Sequence, residues 1–181
     1  SGNKRWVETW KKLPEPARRR LVLEHDDLRF SAADVLWIHE HTGVRLIFDY
    51  QHFWCFNPEG LEMRPTVEKI LATWPADVRP KIHFSSPRTE MRVGEKKNRQ
   101  TGKTEEVLLP PVWTGHADFT NPFEFCRFMR DMEGLDFDVM LESKSKDLSL
   151  LRLRGDLPRY APDVAARFGL PAPEPLLPPE T

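Results

Sequence analysis

RLIFDYQH (residues 45–52) is the stretch on which the fold turns. A short apolar run closes on Asp49, and His52 follows three residues later. Runs of four or five residues of this kind are what strands buried on both faces look like. A carboxylate at the C-terminal end of such a strand falls at the open mouth of a parallel sheet or barrel, where that architecture places its chemistry. Three other runs end in the same way: RLVLE at Glu24, KIH at His83 and DVMLE at Glu142. One such ending means little, because any strand becomes polar where it meets solvent. Four predict ligands converging on one site.

Outward from these strands the chain alternates between helix and strand signals. Apolar residues from 7 to 20 recur at helical spacing, interrupted by Pro14 and Pro16. They predict a helix or helix pair leading into a first strand over 20–24. Ser31 and Asp34 read as an N-cap and an acidic first turn, with Gly43 as the stop of a helix reaching His41. The second strand spans 44–49 and an aromatic loop follows it. A helix from Pro65 to Trp74 is closed by Pro75, and the third strand spans 80–84. Asn121-Pro122 fits an N-cap with proline at the first helical position, opening a helix that ends near Gly134. The fourth strand spans 137–142, and a last helix begins over 146–153.

Between the third strand and the Asn121 helix lies a polar, basic segment with β-prone flanks, residues 90–109. It predicts a projecting β-hairpin turning near residues 100–102. The end of the chain, 169–181, is proline-rich and expected to be extended. The body, 1–168, is therefore expected to be α/β: about four parallel strands with outer helices, as (βα) units of a TIM barrel. Four strands do not close a barrel alone, so a half-barrel is expected to need more chain or a second copy.

Composition narrows the function. With 181 residues the chain is one domain's worth of core. The 27 Lys and Arg nearly cancel the 28 Asp and Glu, which removes the global positive field of many nucleic-acid binders and leaves only local patches. Two cysteines, Cys55 and Cys126, form neither a disulfide framework nor a thiolate zinc site. No run approaches a membrane span, and no apolar leader is seen, so the expected location is cytoplasmic, beside the nucleoid in a bacterium.

The chemistry rests on three carboxylates, Glu24, Asp49 and Glu142, and three histidines, His52, His83 and His116. This mixed oxygen and nitrogen set suits manganese, zinc or iron, and it exceeds what one ion needs. Two ions roughly 3.5–4 Å apart clamp the attacking and leaving oxygens of a phosphodiester. Lys81 alternates with His83 on one face of its strand, so it is expected to point into the barrel, where an ammonium needs a carboxylate, neutrality or modification. Glu24-His25-Asp26-Asp27 also reads as a solvated strand end. His39 and His41 sit near a helix C-terminus and are set aside. Trp37 and the phenylalanines over 123–128 are expected to pack helix on barrel. Phe53, Trp54 and Phe56 either stack on a base or form a lid.

LVLEHDD, LIFDYQH, KIHFSSP, HADF and DVMLESKSKDLSLLRLR, in that order, resemble successive motifs of the UV damage endonucleases, the UvdE family, over about residues 20–153. The resemblance implies a metal-dependent DNA repair enzyme on a TIM barrel, this chain matching its C-terminal half. Such an enzyme incises the backbone 5′ to cyclobutane dimers, 6-4 photoproducts or abasic sites in double-stranded DNA. By motif, Glu24, Asp49, His83 and Glu142 hold the central ions, Glu24 bridges to a neighbour, and His52 with His116 holds a third. Glu24, Glu142 and a carboxylated Lys81 are the expected catalytic residues, with two or three divalent ions, manganese before zinc. Asp118 is a weaker carry-over. His25 stands where the family has asparagine, and it either adds a ligand or disturbs one. Arg92, Lys96, Lys97, Arg99 and Lys103 are the candidate phosphate contacts, alongside a plainly solvated hairpin. The partner required is the N-terminal half of the barrel, in the same polypeptide or in another. Two other functions compete: a xylose-isomerase-like sugar isomerase, and a non-catalytic half-barrel binding module.

Overall fold

A computed structural model describes residues 2–172; most of the proline-rich end, from 173 onward, lies outside the described residues. Four parallel strands, β1 (Val22–Glu24), β2 (Arg45–Asp49), β3 (Lys81–Phe84) and β6 (Asp138–Leu141), lie side by side in chain order. The one interruption in that order is a separate antiparallel hairpin, β4 (Arg92–Lys97) with β5 (Thr104–Leu109). Sequential parallel strands with a helix after each are the winding of a TIM barrel, here (βα) units forming about half of the ring. Among the described residues β1 and β6 each have one neighbour, so both edges of the sheet are open.

Alternation along the strands decides what faces where. Leu46, Phe48, Ile82 and Phe84 point to the helices and are fully buried, with Leu23, Val139 and Leu141 packed beside them. Phe84 is the hub, stacking on Tyr50 at 4.5 Å and meeting Phe125 and Phe128 at 5.1 and 5.5 Å between ring centres. The opposite face carries Glu24, Ile47, Asp49, Lys81, His83, Asp138 and Met140, as the strand register requires.

The helices follow their local signals. α1 (Gly2–Lys12) and the short α2 (Glu15–Arg18) break at Pro14 as expected. α3 (Ala32–Thr42) starts with a reciprocal capping box between Ser31 and Asp34. It ends at Gly43, whose φ of 72° is easy only without a Cβ. α5 (Met63–Leu71) and α6 (Pro122–Asp131) also stand where expected, the latter capped by Asn121, whose side chain accepts from the backbone N–H groups of Phe123 and Glu124.

Several expectations are corrected. The aromatic loop after β2 is a helix, α4 (Tyr50–Cys55), because Asp49 caps it and Tyr50, Gln51 and Phe53 are buried. α7 (Lys146–Tyr160) begins where expected and continues through Pro158, carried by Leu153 and Leu157, four residues apart on the buried face, but it is not the last helix. A further helix, α8 (Pro162–Arg167), was not foreseen; Asp163 holds Arg130 of α6 through two bonds of 2.7 and 2.8 Å. Phe123 does not pack on the barrel but lies exposed against Tyr160, whereas Phe125 and Phe128 are buried. No helix among the described residues is long and apolar enough to cross a membrane.

Phe84→Ala is expected to destabilise the fold by about 3–5 kcal/mol, the range for emptying a packed phenylalanine site. Urea unfolding followed by far-UV circular dichroism measures it; a loss below about 1 kcal/mol would contradict the packing described.

Candidate metal centre

Glu24, Asp49, His83 and Glu142 come from four adjacent strands, and one ligand atom from each lies within 4.8 Å of the others. The strand register explains the convergence. Glu24 aligns with Ile47, two residues short of Asp49, Asp49 aligns with His83, and His83 aligns with Met140, two short of Glu142. The ligand row therefore climbs as the strands tilt, keeping the four groups level at the mouth.

The contacts within the cluster are close. His83 Nδ1 lies 3.0 Å from Glu24 Oε2 and 3.0 Å from Glu142 Oε1, and His52 Nδ1 lies 3.1 Å from Glu24 Oε1. Yet His83 Nδ1, Glu24 Oε1 and Asp49 Oδ2 are buried without a hydrogen bond of good geometry. The four ligand atoms lie within 4.8 Å of one another, close enough for one ion to reach them all. Buried polar atoms without partners are strongly unfavourable. Orphaned donors of carboxylate and imidazole type converging on one point fit a divalent cation.

Asp49 divides its oxygens between two tasks. Oδ1 accepts the His52 backbone N–H at 2.6 Å and so starts α4, while Oδ2 is left for the cluster. The helical turn returns His52 to the same mouth three residues later. His52 Nδ1 lies 2.9 Å from the carbonyl of His25, and His116 Nδ1 lies 2.7 Å from the carbonyl of Glu142. A carbonyl only accepts, so in both rings Nδ1 carries the proton. When either ring is neutral its Nε2 lone pair is free, the arrangement typical of metal-ligating histidines. The two ring centres lie 6.3 Å apart, with the planes tilted by 47°.

Without a metal, protons do part of its work. Burial alone would depress both imidazoles, but close contact with Glu24 and the charges of Asp49 and Glu24 raise His52 to about 9. Burial likewise opposes His83, and Glu142 with Glu24 raises it to about 10. Glu24, pushed up by burial, is held down at about 2 by His52 and His83. Contact with His83 also lowers Glu142. Burial dominates at Asp49 and raises it to about 6.

The remaining sequence candidates sort clearly. His25 neither joins nor disturbs the cluster: it is fully buried against Phe48 and Phe53, and its Nε2 accepts the Asp49 backbone N–H at 3.1 Å. Burial lowers it to about 4, so it stays neutral. Lys81 lies one step below His83 on the same face, half-buried rather than enclosed; Asp138, its register partner, is paired with Arg79 at 3.3 Å. Asp118 is exposed, 3.6 Å from Arg88. His39 and His41 bond to the carbonyls of Val44 and Trp37, away from the mouth. Arg92, Lys96, Lys97, Arg99 and Lys103 stand on or around the hairpin, interleaved with Glu95, Glu105 and Glu106. One residue that sequence reasoning passed over is Gln51. It is buried, donates to the carbonyls of Trp113 and Gly115 at 2.8 and 3.2 Å, and accepts from Ser85 Oγ at 2.5 Å. The only signal was a polar residue beside His52 facing the Ser85-Ser86 pair.

Residues 2–166 match the family model described as UV-endonuclease UvdE. The chain is 30% identical over 158 residues to the UV DNA damage endonuclease of Bacillus pumilus, covering 87% of this chain and 44% of that protein. It is 27% identical over 150 residues to that of Bacillus velezensis, covering 81% and 41%. The crystal structure of SacUVDE is similar with a TM-score of 0.65 at 31% identity, over 87% of this chain and 46% of that one. The chain thus spans less than half the length of the curated relatives it matches.

Two predictions follow from the protonation and capping. Stability from charged His52 and His83 in the metal-free chain is complete below their ordinary value of 6.5 and is lost as pH rises through about 9 and about 10. A metal must displace the His83 proton, so its affinity rises with pH by about tenfold per unit per proton displaced. Isothermal titration with manganese between pH 6 and 9 measures this, and a flat profile would contradict it. Separately, Asp49→Asn retains a capping oxygen but weakens metal uptake, whereas Asp49→Ala also loses about 1 kcal/mol of stability. Equal melting of the two variants would show that the cap contributes nothing.

Proposed function

The chain belongs to the UV-endonuclease UvdE family, and on that premise we propose that it carries the metal centre of a DNA repair endonuclease. The substrate is damaged double-stranded DNA, cut 5′ to cyclobutane dimers, 6-4 photoproducts or abasic sites. The observation that supports this most is the convergence of Glu24, Asp49, His83 and Glu142 with unpaired buried lone pairs among them. Those four would hold the central ions, and His52 with His116 a further one, manganese being the first choice and zinc the second. When bound, such ions activate water and stabilise charge on the leaving oxygen.

The chain's own groups do the positioning. Glu24 Oε2 and Glu142 Oε1 both lie 3.0 Å from His83 Nδ1, so the two carboxylates hold the imidazole in place and bring their oxygens to one point. Glu24 reaches towards both His83 and His52 and is the residue placed to bridge two ions. Burial of Asp49 limits water at the back of the site. Lys81, below His83, is proposed to act as a carbamate, extending the anionic lining downward. Arg92, Lys96, Lys97, Arg99 and Lys103 are proposed to follow phosphates of the bound strand. The other half of the barrel, in the same polypeptide or a partner, would complete the cleft, and a cytoplasmic, nucleoid-associated location suits the substrate. The near-cancellation of 27 basic and 28 acidic residues favours one competing function, a half-barrel binding module without catalysis.

Nicking of supercoiled plasmid distinguishes them. With manganese, ultraviolet-irradiated plasmid is expected to be nicked in proportion to dose and unirradiated plasmid spared. Glu24→Gln and Glu142→Gln should each lower the rate by at least about 100-fold. Sugar isomerisation without nicking would instead identify an isomerase. A folded chain that takes up neither manganese nor zinc at micromolar concentration would leave the binding module.

A further inference from the structure

α7 carries a serine where its buried stripe calls for an apolar residue. Ser149, Leu153 and Leu157 follow one another at intervals of four, and all three are buried. A serine inside a helix usually turns to solvent or bonds back to its own helix. Ser149 instead reaches the segment that leads from His116 into α6. Its Oγ accepts the backbone N–H of Thr120 at 3.0 Å. Thr120 Oγ1 lies 2.8 Å from Ser143 Oγ and 3.4 Å from Ser149 Oγ. The three hydroxyls form one connected group, each residue no more than 6% exposed.

This group joins two stretches that carry candidate ligands. Ser143 follows Glu142, and Thr120 lies four residues after His116. Backbone bonds lace the same stretches together: the N–H groups of Lys144 and Ser145 donate to the carbonyls of Ala117 and Asp118, both at 3.0 Å. His116 Nδ1 meets the Glu142 carbonyl at 2.7 Å. Glu24, Asp49 and His83 stand on strands, but His116 stands in the loop between β5 and α6. Where its ring points therefore depends on how that loop sits against Glu142 and α7.

Resting on the metal-centre function proposed above, we infer that Ser149 is a positioning residue: through Thr120 and Ser143 it sets His116 against Glu142, so that both face the mouth together. A hydroxyl suits the task because it donates and accepts at once. It satisfies a buried N–H and adds no charge beside the three carboxylates. An apolar residue at 149 would complete the stripe but strand the Thr120 N–H, and the loop would shift to find it a partner.

The test uses the full chain and three variants. Ser149→Ala removes the acceptor, Ser149→Thr keeps it, and Thr120→Val keeps the side chain's shape without its hydroxyl. In EDTA, exchange of the His116 Nδ1 proton with solvent is followed by NMR of the imidazole nitrogens. Manganese affinity is then measured by isothermal titration. Ser149→Ala and Thr120→Val are each expected to speed the exchange and to weaken manganese binding about tenfold, with Ser149→Thr close to the parent chain. Should Ser149→Ala fail to fold, Thr120→Val carries the comparison, because its backbone N–H keeps Ser149 as acceptor. A lower melting temperature with exchange and affinity both unchanged would overturn the inference and leave Ser149 a packing residue. An equal loss in Ser149→Thr would overturn the part given to the hydroxyl. Faster exchange in the variants of a chain that binds no manganese removes the metal-centre function alone. Unchanged exchange in the variants of a chain that does bind it removes this inference alone.

Discussion

Three carboxylates and an imidazole held within a few ångströms are the constraint around which this half-barrel is arranged. Two unit negative charges about 4 Å apart repel by roughly 4 kcal/mol at the effective dielectric near a protein surface. Glu24, Asp49 and Glu142 stand together nonetheless. Each is anchored by a separate strand, so the repulsion is resisted by the sheet and not by loops. His52 and His83 carry protons into the cluster and offset the charge when no metal is bound. The centre is therefore poised: its electrostatics are satisfied by protons or by a cation.

The sheet does this with a division between its faces. Leu46, Phe48, Ile82 and Phe84 seal against the helices, and their packing with Tyr50, Phe125 and Phe128 fixes where the strands end. His25 shows how sharp the boundary is. One residue past a ligand, it turns to the apolar side, stays neutral, and uses its ring to receive the backbone N–H of Asp49. A position that is polar by type thereby belongs to the core by direction.

Much of this was legible in the sequence because strand ends and caps are local. The runs ending at Glu24, Asp49, His83 and Glu142 are all strands, and the four ligands meet. Ser31, Gly43 and Asn121 bound their helices as their chemistry suggests. The rest depended on contacts across the chain. α4 was hidden because its cap, Asp49, already had a task at the strand end. α7 continues beyond 153 through Leu157, whose burial no local pattern reveals, with Pro158 included. Lys81 stands on the face that strand alternation assigns it and is half-buried among the described residues. Gln51 was unreadable for a simpler reason: its partners Trp113 and Gly115 lie more than sixty residues away.

Gln51 has a consequence for how the mouth of the sheet keeps its shape. Its amide fixes the loop of Trp113 and Gly115 to Ser85, the residue after β3 and two past His83. Gln51 itself precedes His52, and Gly115 precedes His116. One uncharged side chain is thus a tie rod between three segments that each carry a histidine of the mouth, and a shift of any one of them is passed to the other two.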